Sequence, residues 1–223
     1  MAVEIVALGR RHVGGFRDAL DAVARERRWL AMTEAPPLAQ VRRFVLANLR
    51  GGAPQFVALD DGRVVGWCDI VPRPRETMRH TGVLGMGVIA SHRGRGVGAG
   101  LLATTLEAAE AAGISRVELM VLVENVRAVA LYRRHGFETE GRCRRYLVVD
   151  GAERDAWMMA KVGSVPRRGT DPFSPARELK GVSPPAGDRP RYFLFNRWCS
   201  GLERGKCATR YSIWSASTRR PFR

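Results

Sequence analysis

The 223-residue chain is long enough for one substantial domain with or without an appendage, and it contains no apolar run of about 18 residues, so no membrane-spanning helix is expected. Its formal charge of +15 is unevenly spread: residues 1–162 hold 24 Arg and Lys against 18 Asp and Glu, whereas residues 163–223 hold 13 against 4. The basicity therefore belongs mainly to the C-terminal stretch and excludes a reading of the whole chain as a polycation.

In chain order, Glu4–Leu8 reads as a short strand. Val13–Arg28 comes next as a helix with Phe16, Leu20, Val23 and Ala24 at helical spacing. Pro36 and Pro37 break the chain before a second helix over Leu38–Leu49, which Gly51 and Gly52 end. Strands Gln55–Leu59 and Val64–Val71 flank Asp60-Asp61-Gly62, a hairpin signal. Val83–Ile89 is the next strand, and Val97–Ala112 a helix. Val117–Val123 reads as an apolar strand, and Asn125–Arg134 as a helix closed by His135-Gly136. Strands Phe137–Val149 and Arg154–Val162 are joined at Asp150-Gly151, a second hairpin turn. Two hairpins plus one β-α-β unit argue for an α+β protein, a mixed sheet with helices on its faces.

The segment Gly87–Leu102, GVIASHRGRGVGAGLL, carries a strand end through a Gly- and Arg-rich turn into a helix. Gly94, Gly96 and Gly98 let the backbone curl, and the helix points free N–H groups and its positive dipole end at the turn. With Arg93 and Arg95 this forms a cradle for a phosphate or pyrophosphate. Gly94-x-Gly96-x-x-Ala99 also matches the dinucleotide fingerprint. Against that reading, the turn comes after some 80 residues read as two hairpins and two helices, and only one β-α-β unit is present, where the dinucleotide fold repeats it.

The residues C-terminal to the turn decide between the two ligands. Arg93-x-x-Gly96-x-Gly98, then helix, strand and Asn125-x-x-Ala128-x-x-Leu131-Tyr132-x-x-x-Gly136-Phe137, resembles the GNAT acyl-CoA N-acetyltransferase superfamily from about Val3 to Val162. The resemblance implies a central mixed sheet of about seven strands flanked by about four helices. It also implies acetyl-CoA as co-substrate, no metal, and direct attack of a primary amine on the thioester. Arg93, Gly94, Arg95, Gly96, Val97, Gly98 and Ala99 match the pyrophosphate-binding turn. Met86, Gly87 and Val88 lie on the strand that pairs with the pantetheine arm, and Asn125 matches an amide that hydrogen-bonds that arm. Tyr132 matches the acid that protonates the departing thiolate.

These roles agree with the chemistry, which needs a neutral amine, a polarised carbonyl and a protonated leaving sulfur. The amide at about Val88 can serve the oxyanion, and Tyr132 shares a helix face with Ala128 and Asn125. Tyr132 also suits a core aromatic, and Asn125 a helix N-cap. Where some members of the family place a glutamate base, this chain has Met120. Glu118, two residues back on the same strand face, is the nearest substitute, with His80 and Asp69 as weaker options, and a water-mediated base is the preferred reading.

Trp29, Leu30, Met32 and Glu34 fall in a loop that shapes the acceptor pocket in this superfamily, and Tyr146 could border it. The terminal hairpin resembles bacterial members that acetylate amino acids or protein N-termini. Asp155 is expected to pair with a hairpin arginine, and Arg142, Arg144 and Arg145 to form a solvated edge. The exposed terminal strands leave an edge on which a homodimer could form. Cys68, Cys143, Cys199 and Cys207 show neither a CxxC pair nor metal-ligand spacing, and the opening MAVEIVALGRR lacks a secretory layout. A cytoplasmic setting is therefore expected. Residues 163–223, rich in Pro, Gly and Arg without period, read as a disordered tail. A nucleic-acid arm, or an extension from a shifted reading frame, are the other readings of that tail. A non-catalytic acyl-CoA-binding module is the rival to an enzyme.

Overall fold

A computed structural model describes residues 3–163. Seven strands, β1 (Glu4–Ala7), β2 (Gln55–Asp60), β3 (Arg63–Pro72), β4 (Thr81–Val88), β5 (Arg116–Leu122), β6 (Glu138–Val149) and β7 (Ala152–Val162), form one sheet. Their order is β1-β2-β3-β4-β5-β7-β6. Four helices flank it: α1 (Val13–Ala24), α2 (Leu38–Arg50), α3 (Val97–Ala111) and α4 (Val126–Arg134). Element order agrees with the sequence reading, and boundaries shift where backbone turns decide them. Helix α1 stops at Ala24, short of Arg28, because Arg27 takes a left-handed φ of 51°. Strand β7 starts at Ala152 because Asp150 and Gly151, at φ 52° and 77°, suffice for a two-residue hairpin turn. The expected disordered tail lies outside the described residues except for Gly163, whose N–H donates to Ser115 O at 2.7 Å.

Each sheet face covers its own core. On one side Phe16, Leu20 and Val23 of α1 and Val41 and Val45 of α2 pack on Val57, Val64 and Trp67. On the other, Leu101, Leu102 and Ala109 of α3 and Val129 and Tyr132 of α4 pack on Cys68, Ile70, Leu84 and Leu119. Between β2 and β3 the register passes from Ala58↔Gly66 to Leu59↔Val64, leaving Val65 unopposed. That bulge resets the alternation. Trp67 and Asp69 consequently face α1 and α2, and Cys68 and Ile70 face α3 and α4.

Every neighbouring pair is antiparallel except β4 with β5. That parallel pair holds for three rungs, Thr81↔Arg116, Gly82↔Val117 and Val83↔Glu118. Beyond them β4 stays with β3 as far as Val88↔Gly66, while β5 stays with β7 as far as Leu122↔Ala156. The sheet opens as a V at its centre, with its closed end at Val83 and Glu118.

Candidate active site

The open side of the V is lined by backbone. Thr81 O accepts from Arg73 N at 2.8 Å and Ile89 N donates to Val65 O at 3.0 Å, so odd-numbered residues of β4 bond toward β3. The peptide groups of Leu84, Met86 and Val88 therefore turn toward the gap. Of these, Val88 O is taken by Arg93 Nε at 2.8 Å. The Met86 and Val88 side chains pack toward α3 and α4, while the α1/α2 face of β4 carries only Gly85 and Gly87 beyond Val83. The indole of Trp67 fills the space over Gly87, where a Cβ would lie 2.7 Å from Cζ3.

At the mouth of the V, Gly94 and Gly96 adopt φ of 77° and 83°, and a Cβ at either would meet nothing within 4 Å. Gly96 is the N-cap of α3, so the N–H groups of Val97, Gly98 and Ala99 emerge into this open concavity without helical partners. A Cβ at Gly98 would make ordinary contacts, 3.6 Å from Leu131 and Met86. The loop is tethered from behind, with His92 Nε2 2.9 Å from Asp60 Oδ2. Arg95 is exposed beside the concavity, whereas Arg93 turns back from it. Its guanidinium binds Glu26 with both terminal nitrogens, at 2.8 and 2.5 Å. The sequence carries no signal for this partner, 67 residues away.

Asn125 caps α4, its Oδ1 accepting from Ala128 N–H at 3.2 Å, and its amide nitrogen remains as a donor. Tyr132 packs on Phe137 with ring centroids 5.7 Å apart and is 7% exposed. Burial, aided by neighbouring Cys68, holds its phenol in the protonated form well above the ordinary range. Among the described residues Arg154 Nε alone is both sealed from solvent and without a hydrogen bond. No hydrogen-bond partner is assigned to the Tyr132 hydroxyl among the described residues.

Glu118 lies at the closed end of the V. It accepts from Arg73 Nε at 2.5 Å, and Arg116, itself paired with Glu140 at 2.6 Å, stands 3.7 Å away. His80 is exposed beyond Thr81 at the same end. Asp69 lies elsewhere, in the second rung past the last β4–β5 pair, between Gln55 and Gly85 on the α1/α2 face. At 6% exposure it has no hydrogen-bond donor or ion-pair partner among the described residues. Burial alone pushes its carboxyl up to about 7. An aspartate inside the apolar run GWCDIVP was the only sequence signal of this.

In the loop expected to shape the acceptor pocket, Leu30 and Met32 pack partly on the α1/α2 core, and Arg28 stacks on Trp29 at 4.6 Å. Arg27 bridges from this loop to Asp150 in the β6–β7 turn. Tyr146 is half-buried, and Asp155 pairs with Arg142 at 2.7 Å. No helix among the described residues is long and apolar enough to cross a membrane.

Residues 21–137 match the sequence profile described as the acetyltransferase (GNAT) family. The L-amino acid N-acetyltransferase AaaT of Escherichia coli is 35% identical over 114 residues, covering 51% of this chain and 70% of that protein. The N-alpha-acetyltransferase RimI of Mycobacterium tuberculosis is 38% identical over 104 residues, 47% of this chain and 63% of that one. An acetyltransferase from Salmonella typhimurium, solved with its cofactor acetyl-CoA, superposes with a TM-score of 0.71 at 17% identity, over 77% of this chain and 99% of that one. The split sheet, the glycine turn at the head of α3 and these matches agree: the chain belongs to the GNAT acetyltransferase family.

Proposed function

We propose that this protein transfers an acetyl group from acetyl-CoA to the primary amine of a free amino acid or small amine in a direct ternary complex. The observation that carries the reading is the parting of β4 from β5 beyond Val83, with the α3 N-terminus at its mouth. A slot walled by free strand amides suits an extended amide-bearing arm, and a ring of helix and loop N–H groups suits a pyrophosphate. The open space at Gly94 and Gly96 fits that anion. Acetyl-CoA, when bound, supplies the activated thioester.

The chain's own residues divide the remaining work. The N–H groups from Gly94 to Ala99 would hold the pyrophosphate, with Arg95 as the nearby cation. Arg93 would act by shaping the loop, since its charge is neutralised by Glu26. Met86, Gly87 and Val88 would hold the arm in β-like pairing, with the Asn125 amide as a further donor and Val88 N–H at the developing oxyanion. Tyr132, held protonated, would give its proton to the leaving sulfur. Glu118 could act as base only by releasing Arg73. The similarity to AaaT favours amino acids as acceptors. A protein N-terminus is the second reading, favoured by the similarity to RimI.

The test is CoA release by the purified full chain against L-amino acids, polyamines and N-terminal peptides. Turnover of one class is expected, and tight acetyl-CoA binding without turnover of any amine would overturn the reading.

A further inference from the structure

Resting on that reading, we propose that Asp69 receives the acceptor's ammonium group and removes its proton. Three placements converge. First, Asp69 pairs with Gly85, two residues past Val83, where β4 has already left β5, which sets its carboxylate beside the open part of the slot on the α1/α2 face, opposite the face that carries Tyr132. Second, its cross-strand neighbour is Gly85, and the three atoms nearest a Cβ there would all be those of the Asp69 carboxyl, at 3.4 to 3.7 Å. Nothing from β4 screens the carboxylate from an incoming group, while Trp67 fills the space over Gly87 two residues further along β4. Third, Asp69 is only 6% exposed, and its carboxylate oxygens have no donor among the described residues.

A buried carboxylate without a cation is a costly arrangement unless a cation arrives from outside. The other charges nearby are committed. Gln55 on β2 is neutral and bonded to Asn48 of α2, while Arg73 and Arg116 hold Glu118 two rungs toward the closed end. Gly85 offers only backbone. The occupant that completes the rung is a primary ammonium.

The protons balance. Asp69 takes one proton from R–NH3+, leaving R–NH2 to form the N–C bond to the acetyl carbon as the C–S bond breaks. The sulfur takes the Tyr132 proton, and the nitrogen's second excess proton restores the phenol through water. The Asp69 proton then passes to bulk solvent.

The experiment compares wild type with Asp69→Asn, with the amine that reacts fastest in the acceptor panel. For D69N, kcat/KM is expected to fall about 100-fold or more while the acetyl-CoA Kd stays within about twofold. Wild-type kcat/KM should rise with pH through a midpoint near 7, and this limb should vanish in D69N. A readout independent of turnover is the carboxylic-acid stretch in infrared difference spectra of the free protein, titrating near 7 in wild type and missing in D69N. A D69N enzyme with unchanged rate and pH profile overturns this inference alone. Wild type that acetylates no amine overturns the acetyltransferase reading with it.

Discussion

The indole of Trp67 occupies the volume that any side chain at Gly87 would need, with Cζ3 and Cζ2 at 2.7 and 2.8 Å from a Cβ built there. Trp67 is held by Phe16 of α1 in an edge-on contact of 5.8 Å, so it has little room to retreat. Gly87→Ala should destabilise the protein by about 1–3 kcal/mol, the usual cost of overpacking. Combining it with Trp67→Leu should cost less than the two single changes added together. Strictly additive unfolding energies from denaturant titration would refute the proposed contact.

Arg93 and Arg95 differ in partner and should differ in phenotype. Arg93→Ala leaves Glu26 and Val88 O without their donor, and the unfolding midpoint should fall by several degrees, about 1–3 kcal/mol. Arg95→Ala should leave the midpoint unchanged and weaken acetyl-CoA binding severalfold, with a shallower salt dependence. Equal losses of acetyl-CoA affinity in both variants, measured by calorimetry, would show that Arg93 meets the anion directly.

For Tyr132 the expectation separates chemistry from packing. Its ring contacts Phe137, while its hydroxyl has no assigned partner, so Tyr132→Phe should change stability by less than about 0.5 kcal/mol. The acetyl-CoA Kd should hold, and kcat should drop about 100-fold or more. Unaltered kcat would remove Tyr132 from the proton path.

Asp69 links activity to stability through pH. Its carboxyl is raised by burial from the ordinary 3.8 to about 7, so the folded protein binds this proton more tightly than the unfolded chain does. Stability therefore falls as pH rises from about 4 to about 7, and the cost is fully present above that range. Asp69→Asn removes the buried charge while keeping the shape. At pH 8 it should raise the unfolding free energy by about 2–4 kcal/mol, with little difference from wild type at pH 4. A wild-type stability flat between those values would contradict the buried, unpaired state.

Local chemistry made much of this protein legible from sequence alone. Alternating apolar residues, two Asp-Gly hairpin turns and helical stripes in α1 and α2 specify the element order, because each signal is satisfied within a few residues. The glycine turn and the Asn125–Tyr132 helix likewise marked the donor side, since φ above zero and helix capping are local properties. The tertiary structure decided what depends on distant partners. The bulge at Val65 set which face Trp67 and Asp69 occupy, and a pairing across 67 residues turned Arg93 toward Glu26. Asp69 and Glu118 read in sequence as two carboxylates on separate strands. Only the assembled sheet gives one of them two arginines and leaves the other buried beside the opening, because charge partners and solvent access arise from packing and not from spacing.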